Sequence, residues 1–497
     1  MGTDILQSGE LRRAARPDAA VGSAAALLRR FVVALGIGWS ILFVVIGLAY
    51  GLQMYGDGSI FSYAVAVQDA WAFHLHNMPG RLVVYLFSFV PAEAYVGLTG
   101  DARGGIALYG FLFFVAPLIG LAATWAADRS PGRIVFAYAC ASTACAAPLV
   151  FGFPTEMWMA HALFWPALAV CHYARQGLGG AVLVFGLLLA LAFTHEGAIV
   201  LELIILATLA LRGMRDAALW RAGGAFLVVL AIWAAVRAAF PPDDYYAGVF
   251  TAAALHFFDP DRFVNAFFLS LVGALVAYGV LFACLRRFAP ATAQLFAAAI
   301  VAAGLAVYWL WFDQSLHTYH RYFFRTVLLI ATLGFGCLAA THALDADGRL
   351  SVPILRRLSA ALGGARVRDT MARAAIGAIA LVMLVHAVET AKFVVAWTHY
   401  KAYIQALATG TASDPALGDA RFVSPDRAGA NRLSWNSTTP YLSVLLAPGF
   451  APSRLVVNPR ANYFWLSCAV ATANRDAARA VPAASRGLVR AYACLHR

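Results

Sequence analysis

Residues 82–98, LVVYLFSFVPAEAYVGL, decide how the whole chain is threaded. The stretch is apolar and nearly long enough to cross the roughly 30 Å of hydrocarbon in a bilayer, and whether it crosses sets the orientation of everything after it. Pro91 interrupts a helix and Glu93 is costly in lipid, so both argue against a crossing. The arginines agree. With the stretch held at the surface, Arg29, Arg30, Arg129, Arg133, Arg212, Arg286, Arg287, Arg356 and Arg357 all fall on one side. Arginines on that side then outnumber those of the opposite loops, such as Arg81, Arg103 and Arg262, roughly threefold, which is the bias expected of cytoplasmic loops.

Outward from that stretch lie eleven further apolar runs: Phe31–Tyr50, Ile106–Ala127, Ile134–Gly152, Met157–Tyr173, Gly180–Thr194, Ala198–Leu211, Ala222–Phe240, Phe263–Cys284, Ala291–Phe312, Tyr322–His342 and Ala374–Trp397. Apolar residues make up 62% of the 497 and mean hydropathy is +0.73. The expected fold is an all-α polytopic membrane protein with about eleven transmembrane helices. The first run is too long for a signal-peptide core and no small-residue cleavage pattern follows it, so it reads as an uncleaved anchor. A basic cytoplasmic segment, 1–30, precedes a transmembrane domain, 31–397, and an exported domain, 398–497.

The first external loop is amphipathic. Ile60, Tyr63, Ala64, Val67, Trp71 and Phe73 sit at helical spacing opposite Ser62, Gln68, Asp69 and His76, and Pro79-Gly80 then breaks the chain. With residues 82–98 this makes two helices lying in the outer interface. Residues 344–373 read as a basic surface helix on the cytoplasmic side. The tail alternates turn signals with short β-prone runs, Tyr441–Leu446 and Leu455–Asn458, as a small α/β domain would. Cys468 and Cys494 share that tail, where an oxidising compartment favours a disulfide. The other five cysteines lie in predicted helices as small hydrophobes.

Net charge is +12, but the arginines stand in short loops beside spans, where topology and anionic lipid account for them and nucleic acid is not needed as a partner. Ala, Gly and Arg usage with only two lysines, Lys392 and Lys401, fits a GC-rich bacterial genome, and the expected place is a bacterial inner membrane with the N-terminus cytoplasmic and the C-terminus periplasmic. The acids and histidines then gather at the outer face.

Asp57 stands between glycines just past the first span, where backbone can approach a ligand and a carboxylate can serve as general base; the bland alternative is a helix cap. Glu156 occupies the turn before the fourth span, and His195-Glu196 the turn between the fifth and sixth. No His-x-x-x-His pattern accompanies them, so neither a metal nor another cofactor is indicated. Glu202, deeper in its span, needs a partner or a proton, and Glu389 can pair with Lys392 three residues on. At the outer end of the tenth span, His317, His320, Arg321, Tyr322 and Arg325 cluster at headgroup depth, where arginine forks suit a lipid phosphate and snorkelling anchors with a tyrosine belt fit equally.

This layout resembles the GT-C glycosyltransferases, in which an acid opens the first external loop, an Arg-Tyr element follows late in the membrane part and an exported domain closes the chain. The resemblance implies sugar transfer from a polyprenyl-phosphate donor to a periplasmic glycan or lipid-linked acceptor, with Asp57 as base or orienter and Arg321-Tyr322 at the donor phosphate. The family often shows paired acids where this chain has Asp57-Gly58. Glu156, His195 and Glu196 match no family motif and rest on topology. A proton-coupled transporter or lipid flippase is the alternative, and would place its polar groups near mid-span on broken helices.

Overall fold

The structure is a computed structural model that describes residues 4–71, 79–146, 155–241, 251, 255, 266–314, 324–411, 422–424, 426, 428, 429, 433 and 438–456. It is almost wholly helical. The helices are α1 (Asp4–Ala49), α2 (Asp57–Val67), α3 (Pro79–Thr99), α4 (Ala102–Ala127), α5 (Ile134–Ala146), α6 (Glu156–Tyr173), α7 (Leu178–Ala192) and α8 (Ala198–Ala210). They continue as α9 (Ala217–Ala239), α10 (Ala266–Leu285), α11 (Ala293–Phe312), α12 (Phe324–Ala346), α13 (Pro353–Leu362), α14 (Ala365–Thr409) and α15 (Thr439–Leu446). Two short strands, β1 (Phe422–Val423) and β2 (Leu455–Val456), pair in parallel.

Each of the eleven apolar runs falls on a helix, from α1 through α4–α12 to α14. By length and composition, eight helices among the described residues could cross a membrane, which makes this a multi-pass membrane protein. α3 is one of the eight; α5, α6, α7 and α8 are not. With 15 residues in α7 and 13 in α8, those two rise only about 20 Å, short of a bilayer's hydrocarbon.

α1 and α4 run antiparallel. Arg29 lies at the Gly132 turn that follows α4, whereas Gly47 packs on Phe114 and Gln53 on Gly110. The upper end of the bundle is defined here by the end of α1 and the start of α4. Both ends of α3 touch that same end: Arg81 meets Glu156, the first residue of α6, the Val83 N–H donates to Phe193 O just past α7 (3.1 Å), and Ala92 and Val96 pack on Gly105 in the first turn of α4. Pro91 does not stop this helix. It lacks the N–H that would reach back a turn, and the chain absorbs the loss in a π turn over Tyr85–Phe89.

α2 departs from the sequence reading. It ends at Val67, because Gln68 adopts a left-handed conformation, instead of running on toward His76. It is also buried along most of its length and not half-exposed. The cover comes from the tail: Tyr63 and Tyr441 rings meet at 5.1 Å, and the Ser59 hydroxyl is shared between Gly56 O (2.9 Å) and Thr438 O (3.0 Å). Tyr441–Leu446, expected as a strand, is therefore the helix α15. Pro440 starts it, and packing on α2 and α14 overrides the β propensity of its residues. Leu455–Val456 does form a strand. The proposed boundary at residue 398 falls inside α14, which continues to Thr409.

One core joins α1–α9 to the tail and contains Phe43, Phe114, Trp158, Trp165, Tyr441 and Leu455. A smaller one joins α10 and α11 to α14 around Tyr278, Phe282, Leu305 and Leu381. Cys140 and Cys171 are buried thiols, while Cys468 and Cys494 lie outside the described residues.

Candidate functional site

Four of the expected residues stand at the upper end, and a residue not expected there gathers three of them. Arg81, at the start of α3, donates from Nη1 to Glu156 Oε1 at 2.6 Å and reaches Glu196 Oε2 from Nη2 at 3.5 Å. His195 Nδ1 lies 3.8 Å from that same Glu196 oxygen and accepts the Gly197 N–H at 2.9 Å, an arrangement that leaves any proton of a neutral ring on Nε2. α7 and α8 are short, and the turn that joins them lies level with Glu156, as the shared Arg81 shows.

Glu156 is 1% exposed. A carboxylate buried so deeply must be paired, and the 2.6 Å charge-assisted hydrogen bond to Arg81 supplies the pairing. Among the described residues the group sets one guanidinium against two carboxylates, with His195 beside them.

Asp57 is the first residue of α2. The cap position belongs to Gly56, whose φ of 58° and ψ of −131° suit glycine alone, and no side chain caps the helix there. The plain capping role is thus not what Asp57 performs. Its carboxylate and that of Glu156 both act electrostatically on the buried Tyr109 hydroxyl of α4. Asp57, just past the end of α1, thus stands at the same end of the bundle as the arginine group. Around it, Gln53 Oε1, Tyr109 Oη, Thr155 Oγ1 and Trp158 Nε1 are buried without hydrogen-bond partners, an uncommon density of unmet polar atoms.

His317, His320, Arg321 and Tyr322 lie outside the described residues, as does the side chain of Arg325. Just before them, Asp313 marks a second buried charge group: Lys392 Nζ contacts Asp313 Oδ2 (3.3 Å) and Glu389 Oε1 (3.5 Å), so the expected pair on α14 has a third member. Glu202 is buried in α8 and in no ion pair. Among the described residues no group of three His, Cys, Asp or Glu side chains is placed to hold a metal ion.

Arg81 was missed as a site residue because in the sequence it counts only as one arginine on the side that has few. That scarcity was the usable signal: an outer arginine directly after Pro79-Gly80, against the charge bias, asks for an acidic partner. Compared with protein-family models, with curated proteins and with solved structures, the chain matches none.

Proposed function

We propose that this protein is a membrane glycosyltransferase of the GT-C kind, moving a sugar from a polyprenyl-phosphate donor to a periplasmic glycan or lipid-linked acceptor. The observation that carries this reading is the gathering of Asp57, Arg81, Glu156, His195 and Glu196 at one end of a lipid-embedded bundle, beneath a helix that starts and finishes at that end. In this reading the upper end is periplasmic, and α3 lies in the outer interface with Leu86, Val90 and Leu98 turned outward.

Asp57 accepts the proton of the acceptor hydroxyl as its oxygen bonds to the anomeric carbon. The bond from that carbon to the phosphate oxygen breaks, and its electron pair leaves with the polyprenyl phosphate, an anion that needs little protonation. The described half of the site is net acidic, so cations for the phosphate are assigned to His317, His320, Arg321, Tyr322 and Arg325, with Tyr322 as a hydrogen-bond donor. Glu156 and Glu196 fix Arg81, and His195 stands by as a proton carrier.

The test is transfer of labelled sugar from a polyprenyl-phosphate donor in membranes. Asp57→Asn, verified as inserted and folded, is expected to lose about 10²-fold or more of the rate, the usual worth of a general base. Undiminished transfer by that variant removes Asp57 from the mechanism. The second reading, a proton-coupled transporter, is favoured by Glu202, an acid inside the bundle in no ion pair. Substrate accumulation in sealed vesicles without covalent change decides for it.

A further inference from the structure

The lower end of the bundle carries a surface whose chemistry is as particular as that of the site. α13 is tied there by two contacts: Ser359 Oγ donates to Asp345 Oδ2 at the end of α12 (2.5 Å), and Ser351, just ahead of the helix, donates from N and Oγ to Leu211 O at the end of α8 (2.8 Å each). So held, it presents Ile354 (72% exposed), Leu358 (55%) and Leu362 (40%) one turn apart on one face. Nothing in the described chain covers that stripe. Water would not tolerate it, and three large aliphatic side chains in line are more than scattered surface hydrophobes.

The charge around the stripe is equally one-sided. Arg349, Arg356, Arg357, Arg366 and Arg368 are exposed, and none is in an ion pair. The nearby acids are already engaged: Asp345 with Ser359, Asp347 with the Tyr173 hydroxyl (2.9 Å) and Asp369 with Arg373 (2.8 Å). Five exposed guanidiniums on and next to the helix that carries the apolar stripe, at the level where α12 ends and α14 begins, call for an anionic layer with hydrocarbon directly beneath it.

We infer that α13 is a docking surface for anionic phospholipid in the leaflet at this end, with Ile354, Leu358 and Leu362 inserted below the headgroups and Arg356 and Arg357 bound to their phosphates. The commitment to lipid rests on charge complementarity and on position, since the helix is anchored to two elements that end at the membrane boundary. It does not depend on the proposed enzymatic activity.

Amide hydrogen exchange across α13 tests it, using the full chain in single-copy lipid discs of phosphatidylcholine alone or with about one-third phosphatidylglycerol. Exchange is expected to slow roughly tenfold or more when phosphatidylglycerol is present, and the slowing should disappear in Arg356→Gln/Arg357→Gln. High salt on the unsubstituted protein should reverse it too, so the outcome does not hang on one variant. Equal protection in both lipids overturns the charge reading. Protection only in discs holding two copies makes the face a self-contact, and protection in neither lipid leaves a soluble partner as its occupant; either result overturns the proposal.

Discussion

The two cores of this protein differ in how closely their helix backbones approach. In the larger one, glycines bring helices into backbone contact: a Cβ on Gly36 would stand 2.6 Å from the Cys140 backbone, and one on Gly120 would strike Ala162 O. In the α10–α11 part, Gly273, Gly279 and Gly304 face open space. The burial follows suit, with 50% of the central window of α4 inside the protein but only 11% of that of α10. A lipid-embedded helix gains nothing hydrophobic from packing on another, so close approach through small residues is what holds the first group together. The α10–α11 part is left largely to lipid.

The comparison breaks most readily at Arg81, where the tightly packed part holds its buried charge. Arg81→Ala takes the guanidinium away from Glu156 and Glu196 and is expected to cost about 3–5 kcal/mol, read as a fall in thermal midpoint of the purified protein. An unchanged midpoint would mean that the two acids find other partners. Next in size is Gly36→Leu, which drives a side chain into the Cys140 backbone and is expected to cost about 3 kcal/mol or reduce the yield of folded protein. The smallest effect has the other sign. Gly304→Ala fills open space in a helix and should stabilise by about 0.5–1 kcal/mol. If Gly304→Ala proves as harmful as Gly36→Leu, the α10–α11 part packs against something after all.

Helix positions were legible in the sequence because apolar length is a local property, and Phe31–Tyr50 or Ile106–Ala127 needs no partner to be recognised. What was not legible depended on distant chain. Tyr441–Leu446 looks like a strand until α2 and α14 are beside it, and α2 looks like an interface helix until Tyr441 covers it. Within the site, Asp57, Glu156, His195 and Glu196 could be found from their side of the membrane, since charge near hydrocarbon is rare. Arg81 was marked only by standing against the charge bias, and the two carboxylates that give it importance lie 75 and 115 residues further along.

Those separations have a consequence in time. The last carbonyl beyond α1, Tyr50 O, is satisfied by Trp397 Nε1 at 2.9 Å and by Lys401 Nζ, and the turn leading to Asp57 is closed by Ser59 on Thr438, 379 residues away. At about 5–20 residues per second of synthesis, a wait of roughly 20–75 s separates the emergence of that turn from the arrival of its partner. Until then α2 lacks the cover of Tyr441 and Tyr50 O lacks its donors from α14. The first loop to be made is among the last parts to be finished, so late truncations of the chain reach back to its beginning.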